Sequence, residues 1–151
     1  MAQPSTPRAT PPTRDAFAHF APMPTRWADN DVYGHVNNVV YYAYFDTVVN
    51  SYLLDQGALS IETSPVIGVV VETGCRYHAS VAYPQVLDIG LSVTHIGNSS
   101  VRYELGVFAP GAQQAAASGH FVHVYVDRDT RKPVAIPEAL RRAVQRVYKA
   151  R

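Results

Sequence analysis

Between Asn38 and Leu54 the side chains Tyr41, Tyr44, Phe45, Val48, Val49, Tyr52 and Leu53 recur at spacings of three and four, while Asp46, Thr47, Asn50, Ser51 and Asp55 occupy the other side. That period commits the chain to one amphipathic helix, roughly 27 Å long. Asn37 reads as its N-cap and Gly57 as its stop. Val39, Val40, Tyr41 and Tyr42 individually favour strands, so the period is set against local propensity. Beyond Gly57 the period becomes two. Leu87, Ile89, Leu91 and Val93, then Val101, Tyr103, Leu105 and Val107, then His120 to Asp127 alternate apolar with polar, which predicts three half-buried antiparallel strands. Turn signals at Tyr83-Pro84, Gly97-Asn98 and Pro110-Gly111 separate them. The unbroken run Val66-Ile67-Gly68-Val69-Val70-Val71 predicts a strand covered on both faces, in the middle of the sheet. Pro22 and Pro24 suit an edge strand over Phe20 to Arg26. Pro137 can open a last helix with Leu140, Val144, Val147 and Tyr148 inward and the basic residues Arg141, Arg142, Arg146 and Lys149 solvated. The expected class is α+β, four or five strands packed against one long helix, as a single domain over 17–151.

Composition enters as a set of exclusions. A chain of 151 residues, 47% hydrophobic, buries a proper core without disulfides, and its one cysteine, Cys75, is read as packing. A net charge of +1 offers no field for nucleic acid or an anionic membrane. No segment reaches the roughly 18 apolar residues of a membrane span. Residues 1–16, with Pro4, Pro7, Pro11 and Pro12, read as a flexible leader whose prolines prevent the amphipathic helix of a transit peptide. A soluble, cytoplasmic protein is the expectation.

Chemistry concentrates just before the long helix, in Asp29-Asn30-Asp31-Val32-Tyr33-Gly34-His35-Val36-Asn37-Asn38. The first turn of a helix carries unpaired N–H groups and a partial positive charge, so it can hold an oxyanion while a neighbouring carboxylate attacks or activates water. Asp29, Asp31 and Gly34 resemble the opening of a calcium loop, but Tyr33 at the fifth position and Val40 at the twelfth break the pattern. His120 and His123, three apart on a strand, point to opposite faces and cannot share an ion, so no metal is expected. No Gly-x-Ser-x-Gly elbow occurs. Asp31 is the better nucleophile or base, against the plain reading of an Asp that caps a turn.

The stretch Thr25-Arg26-Trp27-Ala28-Asp29-Asn30-Asp31-Val32-Tyr33-Gly34-His35-Val36-Asn37-Asn38, followed by Tyr41 and Tyr42, resembles the signature of hot-dog-fold acyl-CoA thioesterases of the 4-hydroxybenzoyl-CoA thioesterase type. The resemblance covers about residues 20–126. It implies a curved antiparallel sheet of about five strands wrapped round the long helix, and a homodimer or homotetramer with active sites between subunits. It further implies Asp31 as nucleophile or general base, the Asn38 amide as oxyanion donor, and His35 orienting water or substrate. Tyr33, Gly34, Val36, Asn37, Tyr41 and Tyr42 would line the substrate site, and Arg76, His78 and Arg102 are candidates for the phosphates of coenzyme A. Coenzyme A enters as part of the substrate and no other cofactor is implied. The Gly-His-Val-Asn-Asn stretch favours a fatty acyl group. A non-hydrolytic acyl-thioester binding protein, a hot-dog hydratase or dehydratase, and a dimeric interaction module are the rival readings.

Overall fold

A computed structural model describes residues 9–150. Five strands and two α-helices follow one another as β1 (His19–Pro24), α1 (Val40–Asp55), β2 (Val66–Tyr77), β3 (Val86–Ile96), β4 (Ser100–Phe108), β5 (Ala117–Asp127) and α2 (Glu138–Arg146). The strands form one antiparallel sheet in the order β1-β3-β4-β5-β2, with α1 packed on its concave side: the hot-dog arrangement.

The period-two segments bury the apolar face that their alternation selects, but β3 and β4 are more than half-buried, since Gly90, Ser92, Gly106 and Phe108 on the opposite face are covered too, Phe108 by Phe17. Leu87, Ile89, Leu91 and Val93 of β3 and Val101, Tyr103, Leu105 and Val107 of β4 are fully buried, in one cluster with Tyr41, Tyr44, Phe45, Val48, Val49, Tyr52 and Leu53 of α1. Burying a ring such as Phe45 contributes roughly 2–3 kcal/mol. Its close approach depends on Gly119 of β5, where a Cβ would stand 2.5 Å from Phe45 Cε2. The helix ends as expected, on Gly57 at φ 69°, with the Gly57 and Ala58 amides donating to Leu54 and Leu53 carbonyls. Its start lies later than Asn37 as N-cap implies. The Asn37 side chain accepts from the Val39 amide at 3.1 Å and its carbonyl from the Val40 amide at 2.9 Å, so Asn37 makes an Asx turn that leads into a helix whose cap position is Val39.

The valine-rich run corrects an expectation. It forms β2, which pairs with β5 alone and is the outer edge of the sheet rather than its centre, leaving Val69, Val70 and Val71 exposed at 38%, 43% and 59%. Unbroken β-branched composition reports that both faces favour cover, not that a strand of the same chain supplies it. Tyr148 also departs from expectation: Leu140, Val144 and Val147 face inward, while Tyr148 is 48% exposed, beyond the end of α2.

The expected leader is partly bound. Residues 1–8 lie outside the described residues, but Arg14–Ala16 form a 3-10 turn, and Arg14 pairs with Asp88 at 3.0 Å while its guanidinium lies 4.9 Å from the Phe108 ring centre. Order therefore extends upstream of Phe17, because Arg14 finds both a carboxylate and aromatic faces on the sheet's outer side. No helix among the described residues is long and apolar enough to cross a membrane.

Candidate active site

The polar loop before α1 is built on Asp29, which the sequence does not distinguish from Asp31. Asp29 is 1% exposed, and its carboxylate accepts from the Tyr44 hydroxyl at 2.7 Å and from the Arg26 amide and guanidinium at 2.9 and 3.1 Å. Burial alone raises its pKa, but the hydrogen bonds from Tyr44 and Arg26 outweigh that and hold the carboxyl below its ordinary value. The Asp29 carbonyl also accepts from the Asn37 amide at 2.9 Å, closing the loop's base. Across the cleft, Val36 N–H donates to the Val81 carbonyl and the Asn30 side chain accepts from the Tyr83 amide. The base is thereby fixed to α1 and to the segment before β3.

The tip is open. Asp31 N–H donates to the His35 carbonyl at 2.8 Å and Gly34 N–H to the Asp31 carbonyl at 3.1 Å, making a tight turn that needs Gly34 at φ 83°. The half-buried Asp31 accepts from the Tyr33 amide through Oδ1 at 2.9 Å, while Oδ2 has no hydrogen bond among the described residues. So the turn-capping role uses one carboxylate oxygen and leaves the other available. Val32 and Tyr33 are exposed at 93% and 83%, and His35 is exposed. Asp31 lines a small hollow of 220 Å³ with Trp27, Asn30, Val32 and Gly34.

The expected site residues separate into three groups. Val36 and Tyr41 are buried in the core cluster, where Tyr41 packs edge-on against Tyr77 and burial pushes its hydroxyl up to about 12. Asn37 and Tyr42 are half-buried, Asn37 serving the turn into the helix. Asn38 stays exposed at the helix start, its carbonyl accepting from the Tyr77 hydroxyl at 2.7 Å, and no hydrogen bond occupies its amide among the described residues. Within one chain Asp31's hollow does not include Asn38, so the expected face-to-face pair is not enclosed by a single protomer.

Arg76, His78 and Arg102, by contrast, are brought together. They line a cleft of 540 Å³ with Ser118, His120, Glu104 and the chain at Ala9 and Thr10, and a second cleft of 550 Å³ joins Arg76, Tyr77 and His78. Arg102 is compensated by Glu104 at 2.8 Å and Glu72 at 3.5 Å, and Glu72 also meets His120 at 2.9 Å. Arg76 has no ion pair among the described residues. Tyr77 links this cleft to the helix start through its bond to Asn38. Cys75 is partly buried beside it, its thiol raised by burial to about 11, which suits packing over nucleophilic chemistry. The alternation of His120 and His123 is as expected: His120 lies on the outer face and His123 under the helix.

A long helix on a five-stranded antiparallel sheet, with a polar loop clamped at the helix start, defines the class of hot-dog thioesterases. Residues 25–144 match the model of the Thioesterase-like superfamily, and the chain belongs to that family as a thioester hydrolase. It is similar to the PA5185 protein of Pseudomonas aeruginosa, with 52% identity and a TM-score of 0.91 over 93% of this chain and 99% of that one. The fold is shared with Slr0204, a 1,4-dihydroxy-2-naphthoyl-CoA thioesterase from Synechocystis, at 18% identity and TM-score 0.76 over 83% and 94% of the two chains. Protein YsmA of Bacillus subtilis is 28% identical over 81% of this chain and 82% of its own length.

Proposed function

We propose that the thioester cleaved is an acyl-coenzyme A, with Asp31 as the carboxylate that attacks the carbonyl or activates water and the Asn38 amide as donor to the oxyanion. The observation that carries this reading is the division of the loop: a buried, fully bonded Asp29 fixes it, while among the described residues Asp31 keeps an unbonded Oδ2 and Asn38, at the turn into α1, an unbonded amide. Thioester hydrolysis develops charge on the carbonyl oxygen, and one placed donor is worth about 3 kcal/mol. Arg76 and His78, joined to the helix start by Tyr77, would take the phosphates of coenzyme A, and Tyr42 would border the acyl group. His35 and Tyr33, exposed on the same turn, would meet substrate from outside.

The site would be completed by a second copy. An edge strand with three exposed valines invites pairing, and the hollow at Asp31 is too shallow to hold an acyl thioester alone. A homodimer paired through β2 would cover those valines and wall the hollow. Free-thiol release measured over acyl-CoAs of increasing chain length, with Asp31→Asn alongside, tests the reading. Release with a fatty acyl preference and its loss in the variant is expected. Full activity of Asp31→Asn would remove the mechanism, and binding without release would favour a non-hydrolytic carrier.

A further inference from the structure

Residue 38 is held on both sides. The peptide joining Asn37 to Asn38 is planar and trans, so its N–H points opposite to its C=O, and that carbonyl is aimed toward α1 by the Val40 amide, which donates to it at 2.9 Å. The Asn38 amide is thereby turned away from the helix, ahead of its first turn. The next peptide, Asn38 to Val39, is fixed as well. Its N–H donates to Asn37 Oδ1 at 3.1 Å, and its carbonyl accepts from the Tyr77 hydroxyl at 2.7 Å. Of the four polar groups on these two peptides, only the Asn38 N–H has no hydrogen bond among the described residues.

Two of the three anchors are local, made by Asn37 and the turn into α1. The third comes from the sheet. Tyr77 closes β2, paired with Ala117 of β5, and its ring meets the buried Tyr41 edge-on at 5.0 Å. The hydroxyl therefore reaches the loop from a fixed point 39 residues away in sequence. The Asx turn alone would hold the Asn38 to Val39 peptide only through the Asn37 side chain, and the sheet-borne hydroxyl adds a second hold on its other end. Desolvation, with the neighbouring Cys75 thiol, raises the Tyr77 pKa above its ordinary value, so the hydroxyl stays protonated and a donor across the neutral range.

We propose that Tyr77 is a positioning residue for the oxyanion-binding amide: by donating to the Asn38 carbonyl it keeps the unbonded Asn38 N–H in one orientation, aimed out of the helix start, an inference that rests on the acyl-thioester reading above. It acts through placement, because the carbonyl and the amide of residue 38 belong to adjacent peptide planes that meet at its Cα. Stabilisation of an oxyanion depends on donors fixed before the charge develops, so a donor free to swing loses part of its effect. The neutral carbonyl of the bound substrate asks less of that donor than the transition state does, so the loss falls on kcat.

The test is Tyr77→Phe, which keeps the ring against Tyr41 and removes only the hydroxyl. In thiol release from an acyl-CoA series, kcat should fall roughly tenfold with KM unchanged. In the free protein the Asn38 amide should shift in the proton–nitrogen NMR spectrum and exchange faster with solvent. A bond that serves only the fold would lower Tm and leave kcat of the folded protein native, and that outcome overturns the proposal. A rise in KM with kcat held overturns it too, since Tyr77 would then bind substrate directly. An Asn38 amide with native shift and exchange rate overturns it whatever happens to kcat. If the native protein releases no thiol from any acyl-CoA, acyl-CoA hydrolysis itself fails, and the Asn38 amide in Tyr77→Phe still decides whether the hydroxyl places it.

Discussion

The base and the tip of the loop before α1 each carry an aspartate, two residues apart, in opposite circumstances. Asp29 at the base is buried and bonded to Tyr44 and Arg26, while Asp31 at the tip caps its own turn with one oxygen and leaves the other unbonded among the described residues. The same side chain serves the fold where its oxygens are bonded, and in the proposed mechanism serves chemistry where one is not. A carboxylate satisfied on all sides has nothing left to offer a substrate, and a free carboxylate at a turn tip needs a rigid base to aim it.

Exchanging the two roles is the sharpest way to break that contrast. Asp31→Asn should lower kcat/KM by about 10²- to 10⁴-fold with the Tm nearly unchanged, read by thiol release and calorimetry. Asp29→Ala should instead destabilise by roughly 3 kcal/mol, because it strands the Tyr44 hydroxyl and the Arg26 amide, and denaturant unfolding will read it. If both variants lose activity without losing stability, the division between base and tip is wrong. Tyr44→Phe removes a single donor from Asp29 and should cost about 1–2 kcal/mol in the same measurement. Arg76→Ala should raise KM roughly tenfold with kcat held, which would separate the proposed recognition of coenzyme A from the proposed catalysis at the tip. Val71→Lys places a charge on the open edge of β2 and, if the proposed pairing through β2 holds, should shift sedimentation toward monomer with activity falling in step.

Acid separates the contributions further. Asp29 has a lowered folded pKa, so its stabilisation is present above the ordinary carboxylate value of 3.8 and is lost as pH falls through the folded value. His123 is also lowered, from 6.5 to about 4, so the unfolded chain binds its proton first and stability declines as pH falls through that interval. Unfolding of His123→Leu should show a flatter profile between those two values, with the acid limb below them kept in that variant and lost in Asp29→Ala.

Much of this was legible in order of side chains. The three-and-four spacing located α1 and its stop at Gly57, since a glycine at positive φ ends a helix wherever it packs. The alternation of Leu87 to Val93 and Val101 to Val107 gave two strands with the buried face correctly chosen. Asp29 was missed because its signal, an arginine three residues before it and a tyrosine fifteen after, becomes a site only when helix and loop meet. Val36 and Tyr41, which the family resemblance sets at the substrate site, are both buried in the core cluster.

By itself the sequence determined which segments are helix and strand, which face of each is apolar, and that the polar chemistry gathers before the long helix, because those properties depend on near neighbours in the chain. Only the tertiary structure decided that the valine-rich strand is an edge, that Asp29 is closed while Asp31 stays open, and that neither ring nitrogen of His123 meets a hydrogen-bond partner among the described residues. Each of these is fixed by contacts between residues distant in sequence, and no local pattern records which partner a side chain will meet.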